Sequence, residues 1–329
     1  MIEINNKSLI KYTFIDLFCG IGGFHYALKS FGAKCVFASE WDKHAARVYE
    51  ENHKTSVTGD ITKVDEKNIP SHDILTAGFP CQAFSISGKQ KGFQDTRGTL
   101  FFDIARITNE HKPKILLLEN VKNLIKHDNK KTINVIQKTL TELGYTIYYK
   151  VLNTSNFGLP QNRERVYIVC FRNDIIKTDF KFPNVLEKRV KLSDFLQENP
   201  LNAKVIKRDD IDIYKKFNKE KDLFGNIQIP NKPLQIGKVN KGGQGERIYD
   251  PFGHAITLSA YGGGVGSKTG LYKINNKIRK LSPRECARIQ GFPEDFKLGE
   301  SISQSYKQFG NSVSIDVLQH IIKNIINVL

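Results

Sequence analysis

Short apolar runs alternate with helix-spaced segments from Tyr12 to Phe171, and this alternation narrows the fold more than any other feature of the chain. Tyr12–Phe18 is an apolar strand candidate that runs into glycines. Phe24, Ala27, Leu28 and Phe31 then fall at helical spacing over Gly23–Phe31. Cys35–Ser39 reads as a second strand and Lys43 to Asn52 as a second helix. Asp73–Ala77, Ile115–Leu118 and Val166–Phe171 read as further strands. Strands separated by helices imply right-handed crossovers, hence an α/β fold with a mainly parallel sheet. After about residue 190 the pattern changes. Ten of the 25 glycines lie between Gly237 and Gly270, which predicts loops and short strands. Ser305 to Leu329 returns to helical spacing through Ile315, Leu318, Ile322 and Ile325, and is expected to pack back on the first domain. The expected division is residues 1–192 completed by 302–329, with a smaller domain at 193–301.

A chain of 329 residues can bury a sizeable core without a disulfide or metal staple. No apolar run reaches the roughly 18 residues of a membrane span, and Met1 to Phe14 lacks an apolar signal core. The five cysteines are Cys19, Cys35, Cys81, Cys170 and Cys286, with no zinc-ligand spacing among them. That pattern fits a reducing, cytoplasmic setting rather than a disulfide framework or structural zinc. Lys and Arg number 50 against 34 Asp and Glu, a formal charge of +16. A Lys-rich composition alone could produce this, but a polyanionic partner is the other reading. Between Lys232 and Arg284 there are ten Lys/Arg and two Asp/Glu, so half of the net charge sits in a glycine-rich segment. Such a segment is either a flexible surface or a phosphate-contacting face.

Three local patterns carry chemistry. The first is Asp16-Leu-Phe-Cys-Gly20-Ile-Gly22-Gly23, where a strand meets glycines and then a helix. This turn lets a ligand approach the backbone near a helix N-terminus. It suits NAD, FAD or S-adenosylmethionine, and also a plain tight turn. Glu40 ends the second strand, where an acid can take a ribose hydroxyl pair. Trp41 could stack on an adenine, and Asp60 ends the next unit. The second pattern is Gly78-Phe79-Pro80-Cys81-Gln82, a thiol in a loop at a strand's carboxyl edge. By itself Cys81 reads as a small buried filler, as free cysteines usually are, before it reads as a nucleophile. The loop Gln82 to Thr99 holds Ser85, Ser87, Lys89, Lys91 and Arg97 among glycines, and reads as a polar, cationic lid. The third pattern is Glu119-Asn120-Val121 followed by Gln161-Asn162-Arg163-Glu164-Arg165. Separately, Glu119 could be a helix-terminal charge and the two arginines surface cations.

Together with Arg279-Lys-Leu-Ser-Pro-Arg-Glu285 and Gln308-Phe-Gly-Asn311-Ser312-Val313, these blocks resemble the DNA (cytosine-5)-methyltransferase family in order and spacing. The resemblance spans nearly the whole chain, roughly Pro183 to Pro233 excepted. It implies a Rossmann-like methyltransferase sheet with a smaller strand/loop target-recognition domain, and DNA lying between the two. It implies Cys81 as the nucleophile that attacks carbon 6 of cytosine. Glu119 would hydrogen-bond or protonate N3. Arg163 and Arg165 would face the O2 side and favour the thiolate. Asn120 would hold the Pro80 loop. The methyl donor would be S-adenosylmethionine, leaving as S-adenosylhomocysteine. Its binding residues would be Phe18, Gly20, Gly22, Gly23, Glu40, Trp41, Asp60, Ile61, Pro80, Leu100, Asn311 and Ser312. No metal is implied, and no side chain stands out as the base that removes the carbon 5 proton.

The implied partner is double-stranded DNA with a flipped-out cytosine, since carbons 5 and 6 are hidden inside a duplex. Ser85, Ser87, Lys89, Arg97, Gln244, Arg247, Thr257 and Tyr261 would contact it, with Ser87 and Gln244 entering the helix. Lys241-Gly-Gly-Gln244-Gly-Glu-Arg247 and Ala255-Ile-Thr-Leu-Ser-Ala-Tyr261-Gly-Gly-Gly are similar to the recognition loops of a GCGC-specific member of the family. An arginine forking onto guanine would read that site in the major groove; phosphate contact alone would position without specifying. Val265-Gly-Ser departs from the pattern. The resemblance further implies a monomer in a prokaryotic cytoplasm, paired in function with a restriction endonuclease of the same specificity. The alternatives are the same chemistry at another DNA sequence or on tRNA, a silent DNA-binding protein, and a nicotinamide-dependent oxidoreductase.

Overall fold

In the computed structural model, which describes residues 8–80, 100–176, 178–186, 189–214 and 227–329, the chain forms two compact units. One comprises the chain up to Leu152 with Glu164–Pro183 and Leu318–Leu329. The other comprises Asn153–Arg163 and Asn184–Val317. This contact-based division runs differently from the sequence-based estimate, because Asn153–Arg163 and residues 302–317 group with the second unit.

In the first unit, the apolar run after Tyr12 forms β1 (Thr13–Leu17), of which only Thr13 is not fully buried. The chain continues through α1 (Gly23–Ser30), β2 (Lys34–Ser39) and α2 (Lys43–His53). Asp42 caps α2 by accepting from the backbone N–H groups of His44 and Ala45. Then come β3 (Ile74–Gly78), α3 (Leu100–His111), β4 (Ile115–Val121), α4 (Lys131–Glu142), β5 (Tyr145–Asn153) and β6 (Glu164–Arg172). The strand order is β2-β1-β3-β4-β6-β5. β1 runs parallel to β2 and β3, and β3 parallel to β4, as strands joined by helices must. β6 slots in between β4 and β5 and runs antiparallel to β4. Ile15, Leu75, Leu116 and Ile168 from the sheet pack with Phe101, Ile104, Ile136 and Leu140 from α3 and α4. The order in which strands are added reverses at β1, since β2 lies on one side of it and β3 on the other. Ligands of open α/β sheets bind outside the carboxyl ends of strands at such a switch point. Here those ends are Phe18–Gly22 and Phe79–Pro80.

The second unit holds a five-stranded sheet: β7 (Asp212–Ile213), β8 (Leu234–Lys238), β9 (Arg247–Asp250), β10 (Leu271–Ile274) and β11 (Lys277–Arg279). Only β9 and β10 pair parallel. Its small core is Ile206, Ile236, Val239, Ile248, Leu271 and Ile278, with Val265 and Ile211 packed against it. Val265, which departs from the sequence pattern, thus has a packing role. Arg279 and Glu285 form a buried bidentate pair, both contacts 2.8 Å, beside α5 (Pro283–Arg288). The tail is two helices rather than one helical stretch, α6 (Ile302–Asn311) and α7 (Ile315–Ile326), because Ser312 turns extended at the end of α6. Among the described residues, no helix is long and apolar enough to cross a membrane.

Candidate active site and its family

The carboxyl end of β1 departs from regular geometry in a way that exposes backbone. Phe18 has φ +53°, uncommon for a bulky residue and a mark of a constrained site. Gly20 follows at φ +55°, and a Cβ placed there would meet nothing within 4 Å. Its N–H donates to Glu40 Oε2 at 2.9 Å, and Glu40 Oε1 accepts from Asp42 N at 2.9 Å. The carboxylate at the end of β2 therefore ties the glycine turn to the start of α2. Burial raises the Glu40 pKa above the ordinary carboxylate value. Glu40, Trp41, Gly59 and Asp60 line a cavity of about 500 Å³ with Lys43, Arg47 and Lys63 at its rim. That is a usual volume for a small-molecule site. Trp41 is 80% exposed, so its ring is open for stacking. Asp60 caps the turn Ile61–Lys63, and the hydrogen bonds from Thr62 hold its pKa below the usual value. Ile61 is buried in the main core, Gly23 starts α1 and Leu100 starts α3.

Gly22 has the opposite surroundings. A Cβ there would fall 2.0 Å from His53 Nε2, whose ring instead donates to Ile21 O at 3.3 Å. His53 stacks on His25 at 4.0 Å, and His25 Nδ1 pairs with Tyr49 Oη at 2.7 Å. Burial pushes His25 down to about 2 and His53 to about 4, so both stay neutral beneath the turn. This support is invisible in the sequence, because nothing in the spacing of His25, Tyr49 and His53 distinguishes it from ordinary helix faces.

β4 brings the second cluster. Glu119 lies opposite Gly78 of β3, and Arg165 of β6 is its diagonal neighbour, since Arg165 pairs with Val121 and Tyr167 with Glu119. Arg165 Nε stands 3.2 Å from Glu119 Oε1, both side chains being largely buried. Asn120 Nδ2 donates to Phe79 O at 2.7 Å, gripping the chain just before exposed Pro80. Cys81, Ser85, Ser87, Lys89 and Arg97 lie outside the described residues. The other four cysteines are free thiols, buried or half-buried. Burial moves their pKa values up, Cys35 to about 12, which leaves them poor nucleophiles.

Arg163 does not join Arg165. It is 2% exposed, and its guanidinium donates to the carbonyls of Leu258, Gly310 and Ser312. Its guanidinium is thus held by backbone carbonyls of the same unit. Asn311 and Ser312 belong to the second unit, at the end of α6. Gln244 opens a short turn (Gln244–Glu246), and it and Arg247 are exposed. Tyr261 is 72% exposed, whereas the Thr257 hydroxyl donates to Asn162 O at 2.5 Å.

The C-5 cytosine-specific DNA methylase model matches residues 12–327. The chain belongs to that family. The type II methyltransferase M.HhaI of Haemophilus parahaemolyticus is 55% identical, over 99% of this chain and 97% of that protein. M.NgoBI of Neisseria gonorrhoeae is 43% identical, over 94% of this chain and 91% of its own length. Among solved structures, the S. pombe Dnmt2 methyltransferase superposes with a TM-score of 0.67 at 20% identity, covering 95% of this chain and 97% of that one. At that identity the likeness speaks for the fold. The protein is a DNA (cytosine-5)-methyltransferase of the type II kind, and DNA is its substrate.

Proposed function

We propose that the protein transfers a methyl group from S-adenosylmethionine to carbon 5 of the inner cytosine of GCGC through a covalent adduct with Cys81. The Glu119–Arg165 pair at 3.2 Å, beside a loop gripped by Asn120, is the observation that carries this reading. The Cys81 thiolate adds to carbon 6 of the flipped base. Glu119 hydrogen-bonds or protonates N3 as negative charge develops on the ring, and Arg165 stabilises the O2 side. The donor supplies an already activated methyl, so no metal is needed. Carbon 5 takes the methyl group, the carbon 5 proton is lost and the carbon–sulfur bond breaks, freeing Cys81.

The open space beyond Gly20 and the cavity lined by Glu40, Trp41 and Asp60 suit an adenosyl group, with Glu40 for the ribose and Trp41 for the adenine; Ile61, Phe18 and Leu100 join them by family resemblance. Gly22, Gly23, Pro80, Asn311 and Ser312 complete the donor set by family resemblance. The first unit is then the catalytic one. The second carries target recognition through Gln244, Arg247, Thr257 and Tyr261, with Ser85, Ser87, Lys89 and Arg97 as further DNA contacts. The enzyme works as a cytoplasmic monomer, functionally paired with a restriction endonuclease.

The test uses radiolabelled S-adenosylmethionine and three duplexes carrying GCGC, GGCC, or GCGC already methylated at both inner cytosines. Label in the unmodified GCGC duplex alone is expected. Label in GGCC instead would retain the chemistry and discard the site. A Cys81→Ser variant should bind DNA and transfer nothing; full turnover by it would sink the covalent mechanism.

A further inference from the structure

The motif Gln161-Asn162-Arg163-Glu164-Arg165 divides in the middle. Arg165 faces Glu119, but the residues before it bind a different part of the chain. Ala255 N donates to Pro160 O at 2.7 Å and Asn162 N to Ala255 O at 2.9 Å. Leu258 N donates to Gln161 Oε1 at 3.1 Å, and Gln161 Nε2 donates to Ile289 O at 3.0 Å. The Thr257 hydroxyl reaches Asn162 O, and Arg163 Nη1 reaches Leu258 O at 3.1 Å. Arg163 Nη2 donates to Gly310 O at 3.1 Å and Ser312 O at 2.6 Å. Gly310 itself is pressed so closely on this segment that a Cβ would fall 2.2 Å from Ala260 N. Gln161 is 0% and Arg163 2% exposed.

A buried amide and a buried guanidinium tolerate little displacement, because each lost partner leaves a desolvated polar group. Both side chains hold main-chain groups of Leu258, the residue between Thr257 and the stretch leading to Tyr261, while their remaining bonds tie them to Ile289, Gly310 and Ser312. We propose that Gln161 and Arg163 are positioning residues for DNA-site discrimination: they fix the backbone of 255–260, and hence the orientation in which Thr257 and Tyr261 meet the duplex. This rests on the reading of the second unit as the recognition unit. Two residues further along the same motif, Arg165 pairs with Glu119, so one short stretch serves both recognition and chemistry.

The variants are Arg163→Lys and Gln161→Met. The measurement is kcat/KM on a GCGC duplex divided by that on duplexes with one outer base pair changed. The ratio should fall about tenfold, as loss of one charge-assisted hydrogen bond allows, with Kd for S-adenosylhomocysteine unchanged within about threefold. Loss of folded protein alone would scale every duplex alike and leave the ratio intact, and so would loss of a guanidinium that contacts the target base. An unchanged ratio with lower rates on all duplexes therefore overturns the proposal. Arg247→Ala serves as the control. If it also leaves the ratio unchanged, the recognition reading has failed; if it collapses the ratio while Arg163→Lys does not, only this proposal has. Should both variants fail to fold, hydrogen exchange in the wild type decides. The amides of Ala255, Leu258 and Asn162 should exchange together and more slowly than those of 261–264; independent exchange would refute the anchoring.

Discussion

Gly20 and the glycines around Gly245 solve opposite problems. In the first unit, Gly20 faces open space, leaving backbone accessible beside Glu40. In the second, glycines face each other. A Cβ at Gly245 would fall 2.1 Å from Gly263 O, one at Gly264 would fall 3.0 Å from Gly245 O, and Gly266 N donates to Gly245 O at 2.7 Å. The same residue type thus leaves backbone uncovered in one place and lets two loops touch in the other. The basic, glycine-rich segment is therefore not slack surface. Around Gly245 it is closely packed main chain that carries Gln244 and Arg247 outward.

This contrast can be broken or sharpened by substitution. The largest effect is expected at the first unit's pair: Glu119→Gln should lower the single-turnover methylation rate by roughly 10²–10⁴, while the discrimination ratio stays unchanged. A change in the ratio would mean that chemistry and recognition are not separable as described. Next comes the support under the turn after β1. His25 and His53 have depressed pKa values, so their contribution to stability is complete above the ordinary value of 6.5 and fades as pH falls toward about 4 for His53 and about 2 for His25. For His53 the contribution is up to about 3 kcal/mol. The thermal midpoint of the wild type should fall more steeply from pH 7 to 4 than that of His53→Gln; parallel curves would show that His53 is not the titrating group.

Gly245→Ala should lower kcat/KM for DNA roughly 10- to 100-fold, the cost of overpacking two backbones, with donor affinity retained. Equal losses in donor and DNA binding would erase the distinction between the clusters. The smallest effect is expected for Gly20→Ala, where the left-handed conformation costs about 1–2 kcal/mol. Its S-adenosylhomocysteine Kd should rise about tenfold and its DNA discrimination should not change. Calorimetric titration without DNA reads this directly, and an unchanged Kd would remove the donor from the Gly20 side.

Much of the first unit was legible because its signals are local. Ile115–Leu118 is wholly apolar because it is buried between two strands, and the turn after β1 needs positive φ at Gly20 and Gly22. The order of short motifs then pointed to the family before any coordinate. β5 escaped the periodicity, since its residues are mostly half-exposed and lack an apolar run. The partners of Arg163 were hidden for a different reason. Nothing in the motif spacing records that its guanidinium binds the carbonyls of Leu258, Gly310 and Ser312, up to 149 positions away.

The sequence by itself determined the alternating architecture of the first unit and membership in the family, because short-range pattern and residue type suffice for these. Tertiary structure alone decided which glycines are open and which are pressed together, that His53 props the turn after β1, and that Gln161 and Arg163 hold 255–260. Those outcomes depend on contacts between residues far apart in the chain, from Gly245 and Gly263 to Arg163 and Gly310, where no period records which side chain will meet which backbone.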